Sequence, residues 1–312
     1  MSALRALAPA KINLGLFIGP ARAGDGRHEL ASVMQSISLA DELTLTDAPA
    51  GATEDEILCP GVEGDPRENL AARALGAFRE STGWDGPPRR LTIVKRIPVA
   101  AGLGGGSADA AAALRLAHAA SRLGDRELLL ELARGLGADV PAQVTPGRWL
   151  ATGAGERLEE LVPPVGSLGV LVLAVPVALS TAAVYREADR LGLTCSEAEL
   201  AQRSAALRDA YRHGPAIPPA LELLGNDLQR AAVSLCPQIA PALREARAAG
   251  ATVSMVSGSG PTVLGLFPGS AATHEPGSVL AEQAAARLHG REPAAVWAEP
   301  VAASFAAPLP AG

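Results

Sequence analysis

The chain has 312 residues, of which 48% are hydrophobic and 19% charged, with a formal net charge of -6. That is ample apolar material for more than one core, too much for a disordered chain, and too acidic a balance for a nucleic-acid-binding surface. Cys59, Cys195 and Cys236 are not spaced as metal ligands, no N-terminal apolar signal core is present, and the longest apolar stretch, 168–179, contains Pro176, so the expectation is a cytoplasmic protein with free thiols and no membrane span.

Residues 6–18 alternate as a strand, with Ile12, Leu14 and Leu16 on one face and Lys11, Asn13 and Gly15 on the other. Asp25-Gly26 marks a turn, 28–39 is a mixed apolar stretch, and 42–46 reads as a strand. An amphipathic helix is predicted over 68–81, stopped at Gly83, followed by a strand over 91–95. Next comes Pro98-Val99-Ala100-Ala101-Gly102-Leu103-Gly104-Gly105-Gly106-Ser107-Ala108, then an Ala/Leu-rich helix over 109–120 with Ser107 as its expected N-cap. Strand, glycine loop and helix start together present free N–H groups and the positive end of a helix dipole to an anion. A plain structural turn is the bland alternative. The Walker pattern fails because no lysine follows the glycines, and the dinucleotide fingerprint fails because its third glycine would fall on Ser107, about a hundred residues into the chain.

A helix over 126–136 closes at Gly137, and Asp139-Val140-Pro141 reads as an N-cap followed by a first-turn proline. Residues 161–166 look like a linker and 170–175 a buried strand. Helices are predicted over 181–190, 226–233, 237–249 and 278–288, with 214–219 a proline-rich connection. A strand, the turn Ser257-Gly258-Ser259-Gly260-Pro261 and a second strand span 251–267. Residues 294–303 read as a last strand and 308–312 as a loose tail. Strands and helices thus mix in an α+β arrangement. Of 27 Lys+Arg, only Lys11 and Lys95 are lysine, and both fall inside motifs. A compact ammonium and a wide planar guanidinium do different work at a tight site.

Lys11 in Pro9-Ala10-Lys11-Ile12-Asn13, the glycine loop and the late Ser257-Gly258-Ser259-Gly260 resemble, in order and character, the three motifs of the GHMP kinases. Finer motifs resemble the branch acting on 4-diphosphocytidyl-2-C-methyl-D-erythritol. They are Asp25-Gly26-Arg27-His28, Glu68-Asn69-Leu70, Lys95-Arg96-Ile97-Pro98, Gly137-Ala138-Asp139-Val140-Pro141, Ser180-Thr181 and Asn226-Asp227-Leu228. The resemblance covers about residues 9–267. It implies a two-domain α+β fold, with a ribosomal protein S5 domain 2-like domain over 1–163 and a ferredoxin-like domain over 164–312. The activity implied is transfer of the ATP γ-phosphoryl group to the 2-hydroxyl of the cytidyl substrate, in non-mevalonate isoprenoid precursor synthesis, with Mg²⁺ expected. Homoserine- or mevalonate-type kinases of the same superfamily are the alternative. A nucleotide-binding module that has lost its chemistry would lack Lys11 or Asp139, and both are in place.

The resemblance also implies roles. Asp139 would be the catalytic carboxylate, though a plain helix cap reads equally well from the residues alone. Lys11 would stand beside it, and Asn13 would hold the acceptor. Residues 98–108 would cradle the ATP phosphates, with Ser107 on a phosphate or a metal-bound water, while Asp109 would serve the first helical turn. Asn69 would contact adenosine, Lys95 would line the nucleotide or substrate channel, and Gly258, Ser259 and Gly260 would pack beside the phosphate loop. His28 would read the cytosine edge, with Thr181 and Tyr185 on the same helix face nearby. This chain departs from the family pattern at Arg27, where an aromatic residue is usual; its planar guanidinium would stack on the base together with Tyr185.

Overall fold

The structure is a computed structural model that describes residues 3–164, 167–218, 220–269 and 274–311. The last two positions of the expected 161–166 linker lie outside the described residues, as do Pro219 of the 214–219 connection and Gly312 of the tail.

Two long antiparallel strands, β1 (Leu4–Ala21) and β2 (His28–Asp47), form the backbone of the first half. The expected mixed stretch and strand over 28–46 are one continuous strand. Alternation fails there because seven successive residues from Ala31 to Ile37 are all buried, so neither face turns polar. Beyond β2 come β3 (Glu56–Leu58), helix α1 (Leu70–Thr82), β4 (Arg89–Val94), and helices α2 (Gly105–Ser121), α3 (Arg126–Leu136) and α4 (Val140–Val144). Strands β5 (Arg148–Gly153) and β6 (Arg157–Glu160) form a hairpin. The two ends of β2 take different partners on one side: Leu30 to Gln35 pairs with β5, and Glu42 to Asp47 with β4. The sheet therefore splits at the middle of β2.

The second half contains β7 (Leu168–Leu173), α5 (Thr181–Arg190), α6 (Glu197–Ala210), α7 (Gln229–Leu235), α8 (Ile239–Ala248), β8 (Val253–Val256), β9 (Val263–Pro268), α9 (Gly277–Arg287) and β10 (Val296–Ala298). Its sheet has the all-antiparallel order β10-β7-β9-β8, the ferredoxin-like order. Helix α6 has no counterpart among the sequence-derived elements. Only Leu200 and Leu207 are buried in it, too thin a stripe for a periodicity reading.

Two expectations at the C-terminus are corrected. The predicted last strand over 294–303 shortens to β10. The tail is not loose, because β11 (Leu309–Pro310) pairs antiparallel with Leu4 and Arg5 of β1. An edge strand with free N–H and C=O groups captures a passing segment whatever its own pattern.

One core lies under α1 and α2, where Phe78, Leu75 and the alanines of α2 pack on Leu43, Leu91 and Ile93. A second core joins the halves, with Ile12, Leu14, Val33 and Ile37 against Val170, Val172, Leu264 and Leu266. Burial of this shared apolar surface fixes the two sheets relative to one another. Among the described residues no helix is long and apolar enough to cross a membrane.

Candidate active site

The glycine loop leaves β4 and enters α2 earlier than expected. Gly104, at φ +70°, is the N-cap, with no side-chain cap bond, so Ser107 falls in the first turn instead of capping it. Glycine reaches this left-handed conformation without Cβ strain, and an N-terminus with no side-chain cap keeps its first N–H groups for a ligand. Gly102 must also be glycine, since a Cβ would stand 2.7 Å from the Gly260 carbonyl oxygen. The late Ser257–Gly260 turn therefore packs directly on the loop, and Ser257 Oγ donates to Gly102 O at 3.4 Å. Asn226 braces that turn from behind, donating from Nδ2 to the carbonyls of Val256 and Gly258, each at 2.8 Å. Thr181 and Ser259 share a hydroxyl hydrogen bond of 3.0 Å.

Lys11 ties β1 to the loop through its N–H, which donates to Leu103 O at 2.9 Å. Its ammonium donates to Asn13 Oδ1 at 3.1 Å and lies 3.4 Å from Asp139 Oδ2. Asn13 in turn donates to Ser32 Oγ at 2.7 Å, and Ser32 to Gly15 O at 2.7 Å, so a chain of bonds orients the lysine. Asp139 stands at the N-cap of α4 yet makes no side-chain cap bond. Its carboxylate, 40% exposed, is open to a ligand.

Two cavities meet at the loop. The larger, about 750 Å³, is lined by Lys11, Asn13, Arg27, His28, Asp139, Thr181, Tyr185, Gly258 and Ser259. The smaller, about 380 Å³, is lined by Asn69, Lys95, Asp109 and loop residues from Pro98 to Ser107. Gly102, Gly104 and Ser107 line both. The loop is the partition between them. Ala108 lines neither and is packed in the core under α2.

Lys95 is placed on the smaller-cavity side of this partition and not in the larger cleft. It is ion-paired with buried Asp41 and, at 2.7 Å, with Asp109. Asp109 does not serve its helix turn as expected, because its carboxylate turns to Lys95. Burial, with the charge of Asp41, pushes the Asp109 carboxyl up to about 7 against the opposing pull of Lys95. Asn69 Oδ1 accepts from Ala71 N at 2.9 Å, capping α1 at the rim of the same cavity.

At the far end of the larger cleft, the His28 and Tyr185 rings lie 5.3 Å apart at 31°. His28 Nδ1 donates to Gly19 O at 2.9 Å, and Nε2 faces Asp189 at 3.2 Å. Both ring nitrogens are therefore held by protein acceptors, and Asp189 is a cleft residue that sequence patterns did not flag. Burial first, then the charge of Asp139, pushes the Tyr185 hydroxyl up to about 12. Arg27 donates from Nη2 to Ala154 O at 3.0 Å, holding its guanidinium at the cleft mouth.

Residues 69–147 match the GHMP kinases N terminal domain, and residues 201–289 match the GHMP kinases C terminal domain. The chain belongs to the GHMP kinases. Among its relatives in that family, 4-diphosphocytidyl-2-C-methyl-D-erythritol kinase of Streptomyces coelicolor is 45% identical over 81% of this chain and 84% of that protein. The enzyme of the same name from Anaeromyxobacter sp. is 43% identical over 90% of this chain and 85% of that protein. The crystal structure of a 4-(cytidine 5'-diphospho)-2C-methyl-D-erythritol kinase superposes with a TM-score of 0.73 at 33% identity, covering 95% of this chain and 98% of that one. Homoserine kinase from Cytophaga hutchinsonii, at 14% identity, shares the GHMP kinase fold with a TM-score of 0.70, covering 99% of this chain and 97% of that one.

Proposed function

We propose that this GHMP kinase transfers the γ-phosphoryl group of ATP to the 2-hydroxyl of 4-diphosphocytidyl-2-C-methyl-D-erythritol, a step in non-mevalonate isoprenoid precursor synthesis. The observation that carries the reading is the shared wall of Gly102, Gly104 and Ser107 between a nucleotide-sized cavity and a cleft holding Lys11 and Asp139. Phosphates seated on that wall, over the α2 N-terminus, face the acceptor cleft. The relatives named above support the choice of acceptor.

Phosphoryl transfer asks for position and charge more than for covalent chemistry. The acceptor oxygen attacks the γ-phosphorus as the bond to the β–γ bridging oxygen breaks, and ADP leaves with that electron pair. The hydroxyl proton passes to the Asp139 carboxylate. Lys11 lies beside Asp139, where its ammonium offsets negative charge on the transferring group. Among the described residues no group of three or more His, Cys, Asp or Glu side chains could hold a metal. An ion bound to the nucleotide phosphates would be met, directly or through its waters, by the Ser107 hydroxyl and Asp139, which line the same cleft. Mg²⁺ supplies neutralisation of phosphate charge. The far end of the cleft takes the cytosine, stacked on Tyr185 and the Arg27 guanidinium, with Asp189 and His28 at its edge.

A substrate panel with coupled ADP detection tests the assignment. Turnover of the cytidyl acceptor with none on homoserine or mevalonate is the expected result; the reverse pattern overturns it.

A further inference from the structure

Helix α2 carries a cation in its buried middle that has no carboxylate partner among the described residues. Arg115 is 9% exposed, and its guanidinium donates to three main-chain carbonyls on three elements. Nε donates to Ala306 O at 3.1 Å, Nη1 to Gln143 O at 2.5 Å and Nη2 to Leu7 O at 2.9 Å. Burial lowers its pKa to about 10, so it stays charged at neutral pH.

The three acceptors are not a random set. Gln143 lies in the last turn of α4, whose carbonyls have no partner within the helix. Leu7 is on β1, the strand that carries Lys11. A cation with a planar fork of donors bridges these two elements at the end of α4 opposite Asp139. The Gln143 side chain adds a second tie, donating to Pro9 O at 3.1 Å, while Ser36 Oγ donates to Gln143 Oε1 at 3.4 Å. Helix α4 has only five residues and packs on α2 and α3, so the ties that join its last turn to β1 also bear on where its N-cap stands. The third bond, to Ala306, brings in the turn that leads to β11, which itself pairs with β1.

We propose that Arg115 is a positioning residue for phosphoryl transfer: by clamping α4 to β1 through the carbonyls of Gln143 and Leu7, it holds Asp139 at its working distance from Lys11. It touches neither cavity and acts only through these elements. The inference rests on the catalytic assignment of Lys11 and Asp139 made above.

The test compares Arg115→Met and Arg115→Lys with the unmodified enzyme, well below the melting transition, with nucleotide-binding stoichiometry reporting the folded fraction. Loss of the clamp should lower kcat about 10- to 100-fold, because small misplacements of reacting groups carry penalties of that size, and leave both KM values within about twofold. Arg115→Lys keeps the charge but not the fork, and should recover part of kcat. Unchanged kcat in folded Arg115→Met overturns the proposal. So does a parallel shift of kcat and both KM values that Arg115→Lys does not relieve. Should the methionine variant fail to fold, unmodified kcat in Arg115→Lys overturns it. Asp139→Asn separates the two readings: turnover retained there sinks the catalytic assignment, whereas turnover lost there but kept in Arg115→Met sinks this inference alone.

Discussion

Lys11 Nζ faces Asp139 Oδ2 at 3.4 Å across the gap between β1 and the start of α4, and the carboxylate makes no cap bond to its own helix. The sequence alone left capping and catalysis equally open for Asp139. The geometry shows a carboxylate turned away from its helix and toward a buried ammonium. Replacing Asp139 by Asn should lower kcat by about 10²–10⁴-fold while nucleotide binding persists, as expected for loss of a general base. Coupled ADP assay and calorimetric titration with nucleotide check the two halves of that outcome.

Gly104 is bound to its identity twice over. It sits at φ +70°, and a Cβ there would stand 2.9 Å from Lys11 Cγ. Gly104→Ala should destabilise the protein by about 1–2 kcal/mol from backbone strain and push Lys11 out of line, lowering kcat as well. Thermal melting and steady-state kinetics on the same preparation separate the two effects.

Asp109 makes stability depend on pH. Its carboxyl is raised from 3.8 to about 7 in the folded protein, with burial the largest cause. Between those values the native state binds a proton that the unfolded state has released, so this group's contribution to stability falls as pH rises from about 4 to about 7. Below that window both states are protonated, and above it the loss is complete. The stability of Asp109→Asn relative to the unmodified protein should therefore rise through the window and then level off. Urea midpoints measured across pH 4–8 give the comparison; a flat difference contradicts it.

The Tyr185 ring lies tilted against His28, their centroids 5.3 Å apart, at the end of the cleft away from the glycine loop. Tyr185→Ala should weaken the cytidyl acceptor by about 1–3 kcal/mol, the usual worth of one aromatic–base stack, with KM for ATP unchanged. Separate KM measurements for the two substrates decide this.

Arg27 lines the larger cleft, and its guanidinium is anchored on Ala154 O. Arg27→Ala should raise KM for the cytidyl acceptor several-fold and leave kcat alone. An unchanged KM removes the stacking role.

By itself the sequence determined what local chemistry can determine. Helices α3 and α5 occupy the predicted residues because Asp125 and Ser180 accept from their first turns, and such caps are written within a few positions. The glycine loop announced an anion site, and strand alternation put Lys11 and Asn13 on one face, where they share a hydrogen bond. Helix α6 went unread, because its buried face of Leu200 and Leu207 is too narrow to show as a period, although Ser196 and Glu199 form a capping box at its start.

Only the tertiary structure decided what depends on contacts between distant segments. It joined 28–47 into one strand by burying both faces, and it drew the tail onto the edge of β1. It placed Lys95 between Asp41 and Asp109, set Asp189 against His28, and gave Arg115 three carbonyls from three elements. No periodicity or cap encodes these pairings, because each partner's neighbourhood exists only after the sheets and helices have packed.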